Sequence, residues 1–153
     1  ILAVHSLSKR SNLAGYRAAF VVGDPQLIAQ ILEVRKHAGM MVPLPVQKAM
    51  IAALSDSEHV AQQRARYNSR KDLLIPALKA VGFSIDFSDA GLYLWATRNE
   101  DCWQSVAWLA SLGILATPGI FYGDATHIRI AMTATDQQIS EAAMRITSEV
   151  SAQ

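Results

Sequence analysis

The stretch Ile1-Leu2-Ala3-Val4-His5-Ser6-Leu7-Ser8-Lys9-Arg10-Ser11-Asn12-Leu13-Ala14-Gly15-Tyr16-Arg17 decides how the chain is read. Ile1 to Val4 is a short apolar run of the kind that forms a buried strand, and the polar stretch from His5 to Asn12 then emerges at the strand's C-terminal end, where α/β sheets bind ligands. A lysine there is partly desolvated or set near other cations, which makes its neutral amine available as a nucleophile and suits it to a Schiff base. The hydroxyls of Ser6 and Ser8 and the guanidinium fork of Arg17 suit a phosphate, and Gly15 permits close backbone approach. Taken alone, Ser-x-Ser-Lys beside an arginine is more often a solvated turn than a functional site. The Ser6-to-Lys9 spacing also matches the acyl-enzyme motif of penicillin-binding proteins, but that chemistry needs Ser-Asp-Asn and Lys-Thr-Gly partners and neither tripeptide occurs.

The rest of the chain reads as scaffold. Its 153 residues, 51% hydrophobic and 18% charged, describe an ordinary globular chain of one or two units. A net charge of +1 gives no electrostatic reason to propose nucleic acid or an anionic membrane as partner. Cys102, the single cysteine, excludes an internal disulfide and a cysteine-based metal site, and no metal ligand set is expected. With no signal-peptide pattern and no apolar run long enough to span a bilayer, a cytoplasmic location is expected. The chain starts without Met inside an apparent strand, as a fragment does.

Gly23-Asp24-Pro25 ends a second apolar run, Tyr16 to Val22, and caps a helix reaching about His37, with Asp24 as N-cap. Pro45 opens another helix, and one more begins near Ser55 or Ser57. It runs to Val81 with Arg64, Arg66, Arg70, Lys71 and Lys79 on its solvated side, a kink at Pro76 and a stop at Gly82. Beyond it, strands are expected at Phe83 to Phe87, Leu92 to Thr97, Ile114 to Thr117 and Ile128 to Thr133. Helices are expected at Asp101 to Leu112 and Asp136 to Val150, the last capped by Thr135 or Asp136 and burying Ile139, Ala142, Ala143 and Ile146. The change of character near residue 82 is the expected domain boundary. His5 and His37 read as structural, Trp95, Trp103 and Trp108 as packing residues, and Cys102 as inert.

Ser6-x-Ser8-Lys9 followed by Gly15-x-Arg17 resembles the lysine motif of class I/II pyridoxal-phosphate-dependent aminotransferases. Thr117-Pro118-Gly119-Ile120-Phe121-Tyr122-Gly123 and His127-Ile128-Arg129-Ile130 resemble the same family's Pro-Gly turn and carboxylate-binding arginine. Arg129, flanked by Ile128 and Ile130, points to the face opposite theirs. The resemblance implies an α/β chain that is the C-terminal part of a fold-type I aminotransferase: residues 1–81 as the end of the large domain plus a long connecting helix, and 82–153 as a small α+β domain. It implies that Lys9 is the catalytic lysine and carries pyridoxal 5'-phosphate as a Schiff base, that Ser6 and Arg17 hold the cofactor phosphate, and that Arg129 grips the substrate carboxylate. It also implies amino-acid and 2-oxo-acid substrates, ping-pong transfer and a homodimer.

The segments Arg35 to Pro43 and Gly91 to Arg98 are similar to actinobacterial succinyldiaminopimelate aminotransferases, which implies N-succinyl-diaminopimelate and 2-oxoglutarate in lysine biosynthesis, with Arg35 or Lys36 for a distal carboxylate. In the family, the acidic partner of the pyridine nitrogen and the ring that stacks on the cofactor precede the lysine, so this chain reads as the later part of an active site and is expected to be inactive alone. Two alternatives stay open on the same scaffold: a C–S lyase, and a non-catalytic anion-binding domain of a regulator.

Overall fold

A computed structural model describes residues 1–151. The chain divides into two compact units, Ile1–Arg64 and Ala65 onward. The division falls inside a helix, ahead of the change in sequence character at Gly82.

In the first unit, β1 (Leu2–Ser6) pairs antiparallel with β2 (Ala19–Gly23), Leu2 opposite Gly23 and Ser6 opposite Ala19. Between them lie the short helix α1 (Leu7–Arg10) and a 3-10 turn, Ala14–Tyr16. Leu7, Ala18 and Met50 form a small core, with Leu13, Phe20, Val42 and Val46 packed on it. β1 was expected to be buried, but all five of its positions are exposed in this chain. Two paired strands have two faces to cover, and a core this small covers little of either.

Asp24 caps α2 (Pro25–His37) as expected, its carboxylate accepting from the Gln26 and Leu27 amides at 2.9 and 3.1 Å. Leu44–Ser55 forms α3, with Pro45 in its first turn. The helix α4, Glu58–Ala80, passes through Pro76 uninterrupted. Proline removes the bond to the carbonyl four residues back, but Asp72 and Pro76 are both exposed, so water can serve that carbonyl. Gly82, at φ +89°, takes the left-handed conformation that ends α4, and the Phe83 amide donates back to Leu78 at 3.1 Å.

The second unit is built on a four-stranded antiparallel sheet in the order β3 (Ser84–Asp86), β4 (Tyr93–Thr97), β6 (His127–Ala131), β5 (Thr117–Pro118). The strand expected over Ile114 to Thr117 is confined to the two residues of β5. Ile114 is still engaged in ending α5 (Cys102–Ser111), its amide donating to Leu109 at 2.9 Å. One face of the sheet presents Leu94, Ala96, Ile128 and Ile130, all buried. Leu74 and Leu78 of α4, Leu109 of α5, and Ile139 and Ile146 of α6 (Asp136–Ser151) complete this core. Thr135 and Gln138 form a reciprocal capping box at the start of α6, with bonds of 3.0 and 3.2 Å between side chain and amide.

Two sequence expectations are corrected. Arg70 is not on a solvated face: it is buried, donating from Nε to Asp136 at 2.7 Å and from Nη1 to the Met132 carbonyl at 2.7 Å. Trp103 is not a core residue: it is 52% exposed and meets Phe121 edge-on, whereas Trp108 packs on the core. Trp103 sits on the solvent side of α5, one residue after buried Cys102, where the helical period turns it outward.

Removing Arg70 strands the Met132 carbonyl, so Arg70→Ala is expected to cost about 2 kcal/mol. In urea unfolding this appears as a lower midpoint at constant slope, whereas exposed Arg64→Ala stays within about 0.5 kcal/mol. Equal midpoints would refute the assignment. A Cβ on Gly119 meets the backbone oxygens of His127 and Asp124 at closer than contact distance. Gly119→Ala is therefore expected to lose about 2–3 kcal/mol, measured the same way, because backbone has to move.

Candidate functional site

The lysine motif folds locally. Ser6 leaves β1 with extended backbone and caps α1, its Oγ accepting from the Ser8 amide at 3.1 Å and donating to Ser8 Oγ at 2.8 Å. Lys9 therefore stands in one short turn, ended by Ser11, whose amide donates to Leu7 at 3.1 Å. Lys9 is exposed in this chain, not desolvated, and has no hydrogen-bond or ion-pair partner among the described residues. Arg17 follows the 3-10 turn in the left-handed region, φ +50°, which is costly for a side chain of its size. Its Nη1 donates to the Ala14 carbonyl at 2.8 Å, leaving the other donors of the fork unclaimed. Arg10 Nη1 is buried without an acceptor.

His59, to which sequence reasoning gave no role, braces this turn. One ring nitrogen lies 3.0 Å from Ser11 Oγ and the other 2.9 Å from Asp56. The His59 hydrogen bond, with the Glu58 amide behind it, holds the Asp56 carboxyl below its ordinary range. The signal for this contact was only Asp56 and His59 at helical spacing; the approach to Ser11 is tertiary.

Arg129 is placed by the sheet of the second unit. On β6 it stands opposite Trp95 of β4 and Thr117 of β5. Ile128 and Ile130 enter the core, so Arg129 projects from the other face, as the alternation requires. Its guanidinium carbon lies 4.3 Å from the centre of the Tyr93 ring and 4.9 Å from that of Tyr122. The only polar neighbour among the described residues is Thr117 Oγ1, at 3.5 Å from Nη2, and Nε is buried with no acceptor. No carboxylate pairs with Arg129 among the described residues. A partly buried cation with an unmet N–H is a ready receptor for an anion carrying two oxygens. The turn from Gly119 to Tyr122, ended by Gly123 at φ +87°, delivers the Tyr122 ring.

The same face carries a charged group that sequence reasoning left without a role. His127 lies between Asp86 and Asp124, 3.1 Å from one and 2.8 Å from the other. Burial pushes its pKa down, but the hydrogen bonds to Asp86 and Asp124 outweigh burial and raise it. Asp124 accepts from the Thr126 amide, with His127 and the Thr126 hydroxyl adding to this, and is held at about 2. Among the described residues, no group of three or more His, Cys, Asp or Glu side chains is placed to hold a metal ion. No helix among them is long and apolar enough to cross a membrane. His5 lies tilted against the Phe20 ring, centroids 5.3 Å apart, and His37 bonds back to Glu33 within α2.

Comparison with known proteins places the chain in a family. A family model for aminotransferases of class I and II matches residues 1–146. The chain is 62% identical over 149 residues to a probable aminotransferase, Rv1178, of Mycobacterium tuberculosis, covering 96% of this chain and 36% of that protein. It is 59% identical to the 4-dedimethylamino-4-oxo-anhydrotetracycline transaminase OxyQ of Streptomyces rimosus, over 96% of this chain and 42% of that one. The crystal structure of an aminotransferase from Neisseria meningitidis superposes with a TM-score of 0.86 at 33% identity, over 97% of this chain and 40% of that one. The chain thus spans well under half the length of the relatives it matches. The mixed α/β fold is that of the C-terminal portion of fold-type I aminotransferases. By the extent of the family match, the chain belongs to the class I and II aminotransferases, whose members use pyridoxal phosphate.

Proposed function

We propose that this chain supplies the cofactor lysine and the substrate-binding arginine of a pyridoxal-phosphate-dependent aminotransferase. The observation that carries the reading is Arg129, a half-buried guanidinium held between two rings with an unmet Nε and no carboxylate of its own among the described residues. The donor set around Lys9 fits the cofactor: two hydroxyls, the unclaimed donors of Arg17, and an orphaned Arg10 Nη1 are the chemistry of a phosphate site. Ser6 and Arg17 would hold the phosphate and Lys9 Nζ the aldehyde carbon.

Bound there, pyridoxal phosphate supplies an electron sink for the pair left when an amino acid loses its Cα proton. Arg129 pairs with the α-carboxylate and so fixes which Cα bond is presented. The Lys9 amine would be the base that takes the Cα proton onto Nζ and holds it for return in the same half-reaction. Two half-reactions in opposite directions give ping-pong transfer between an amino acid and a 2-oxo acid. The similarity of Arg35 to Pro43 and Gly91 to Arg98 to succinyldiaminopimelate aminotransferases supports N-succinyl-diaminopimelate and glutamate as the amino donors; the homodimer expected of the intact, cytoplasmic protein rests on the resemblance to the wider family. For a distal carboxylate, Lys36 is already paired with Glu33 at 2.6 Å, and Arg35 donates to the Met40 carbonyl.

In the protein at its full natural length, loaded with pyridoxal phosphate, borohydride is expected to fix the cofactor's mass on the peptide containing Lys9. Lys9→Ala loses that adduct and about 1,000-fold or more of the activity. A visible band undiminished in Lys9→Ala after borohydride would exclude the assignment. Arg129→Lys keeps the charge but loses the fork, and should raise the KM for glutamate about 50-fold while changing kcat much less. Glutamate in a single turnover should yield 2-oxoglutarate and the amino form of the cofactor; pyruvate and ammonia from a sulfur amino acid would favour a lyase. An assay with N-succinyl-diaminopimelate checks the donor.

A further inference from the structure

The polar face of the sheet holds a titratable cluster that the proposed reaction does not use. His127 Nε2 is 3.1 Å from Asp86 at the end of β3, and Nδ1 is 2.8 Å from Asp124 in the turn before β6. Both ring nitrogens face carboxylates, so both carry protons when the contacts are made. The ring stacks on Trp95, centroids 5.2 Å apart and planes within 6°. Trp95 is the cross-strand partner of Arg129 and meets Tyr122 edge-on at 6.0 Å, and Tyr122 in turn lies 4.9 Å from the Arg129 guanidinium. His127, Trp95, Tyr122 and Arg129 thus form one continuous chain of ring contacts. Asp124 also accepts from the amides of Thr126 and His127, at 2.8 and 3.2 Å, so its pairing with the ring fixes the end of the turn that delivers Tyr122.

We propose that His127, as an imidazolium bridging Asp86 and Asp124, is a positioning residue that sets Arg129 for the substrate carboxylate through the Trp95 and Tyr122 rings. The inference rests on the reading of Arg129 as the carboxylate receptor. Among the described residues, the charged groups facing the ring are Asp86 from β3, Asp124 from the turn, and Arg129 on its own strand. The Thr126 hydroxyl, 3.2 Å from Nδ1, is neutral, and β4 contributes the Trp95 ring and, opposite His127 in register, the neutral Thr97, whose hydroxyl donates to the Thr126 carbonyl. With its pKa raised, His127 contributes fully below the ordinary histidine value, and the contribution is lost as pH rises through the raised one. Asp124, depressed to about 2, gives up its part only in strong acid. The clamp therefore opens on the alkaline side.

The test measures the inhibition constant of glutarate, a dicarboxylate that does not titrate above about pH 6, on the full-length holoenzyme from about pH 6 to about pH 9. Wild type, Arg129→Lys, His127→Gln and Asp124→Asn are compared, with melting temperatures taken in parallel. Any pH dependence that does not involve His127 is common to wild type and His127→Gln, so the contribution of His127 is the difference between them. At the acid end, His127→Gln is expected to bind glutarate about 10-fold more weakly than wild type, to lack the alkaline loss, and to keep a kcat within about 2-fold. Asp124→Asn retains the oxygen that accepts from the backbone but not the charge, and should move the loss to lower pH. Should His127→Gln not fold, Asp124→Asn decides: a profile superimposable on wild type overturns the proposal. Wild-type glutarate binding in His127→Gln, with weakened binding in Arg129→Lys, overturns it while leaving the carboxylate reading intact. Wild-type binding in Arg129→Lys removes the carboxylate reading and this inference with it.

Discussion

The second unit depends on one register, Trp95 opposite Arg129 on the β4–β6 ladder. Because successive side chains of a strand alternate, seating Ile128 and Ile130 in the core commits His127 and Arg129 to the other face, and Leu94 and Ala96 do the same for Tyr93, Trp95 and Thr97. A slip by one residue would bury a guanidinium and an imidazole and expose two isoleucines. The hydrophobic effect thus fixes the placement of Arg129 although it acts on the residues beside it. The helices α4, α5 and α6 act on the polar face chiefly through the core that sets this register, with the Cys102 amide at the start of α5 also donating to the Ala125 carbonyl in the turn before β6 at 2.8 Å.

The two faces of the sheet are held by different physics. On the core face the buried polar groups are few and met by partners: Ser105 donates to Glu100 at 2.6 Å, and Arg70 meets Asp136 and the Met132 carbonyl and so ties the end of β6 to the start of α6. On the polar face the charges are separated by rings: Trp95 underlies the imidazole, while Tyr93 and Tyr122 flank the guanidinium. Rings satisfy a cation's preference for a π-face without occupying its N–H groups. Arg129 is therefore stabilised and yet left with donors to offer, whereas a carboxylate in the place of either tyrosine would have consumed them.

What could be read from the sequence was what short-range chemistry determines. The Asp24-Pro25 cap, the stop at Gly82 and the Thr135 box depend on residues within a few positions of one another, and all three form. The lysine motif is legible for the same reason: Ser6, Ser8 and Lys9 belong to one turn. The burial of Arg70 was not legible, because its partner lies 66 residues away and helical spacing alone puts it among solvated basic residues. His127 was overlooked likewise, since Asp86 is 41 residues distant and only the register of β3, β4 and β6 brings them together. Pro76 and Trp103 misled because an average preference was applied where local exposure decides the outcome.

The two proposed anchors are prepared in opposite ways, and their chemistry explains why. As the proposed receptor, Arg129 would need its geometry before the ligand arrives, and a tertiary scaffold of ladder and rings supplies it. As the proposed cofactor lysine, Lys9 would act through a covalent bond that itself fixes the position, so an exposed amine on a capped turn would be sufficient preparation. What Lys9 requires is a turn that does not unwind, and the Ser6 cap, the small core at Leu7 and the His59 brace on Ser11 provide that from three directions. Arg17 bears the corresponding local cost. It holds a left-handed backbone, φ +50°, and its guanidinium donates back to the Ala14 carbonyl of the preceding 3-10 turn, a local bond set against that strain.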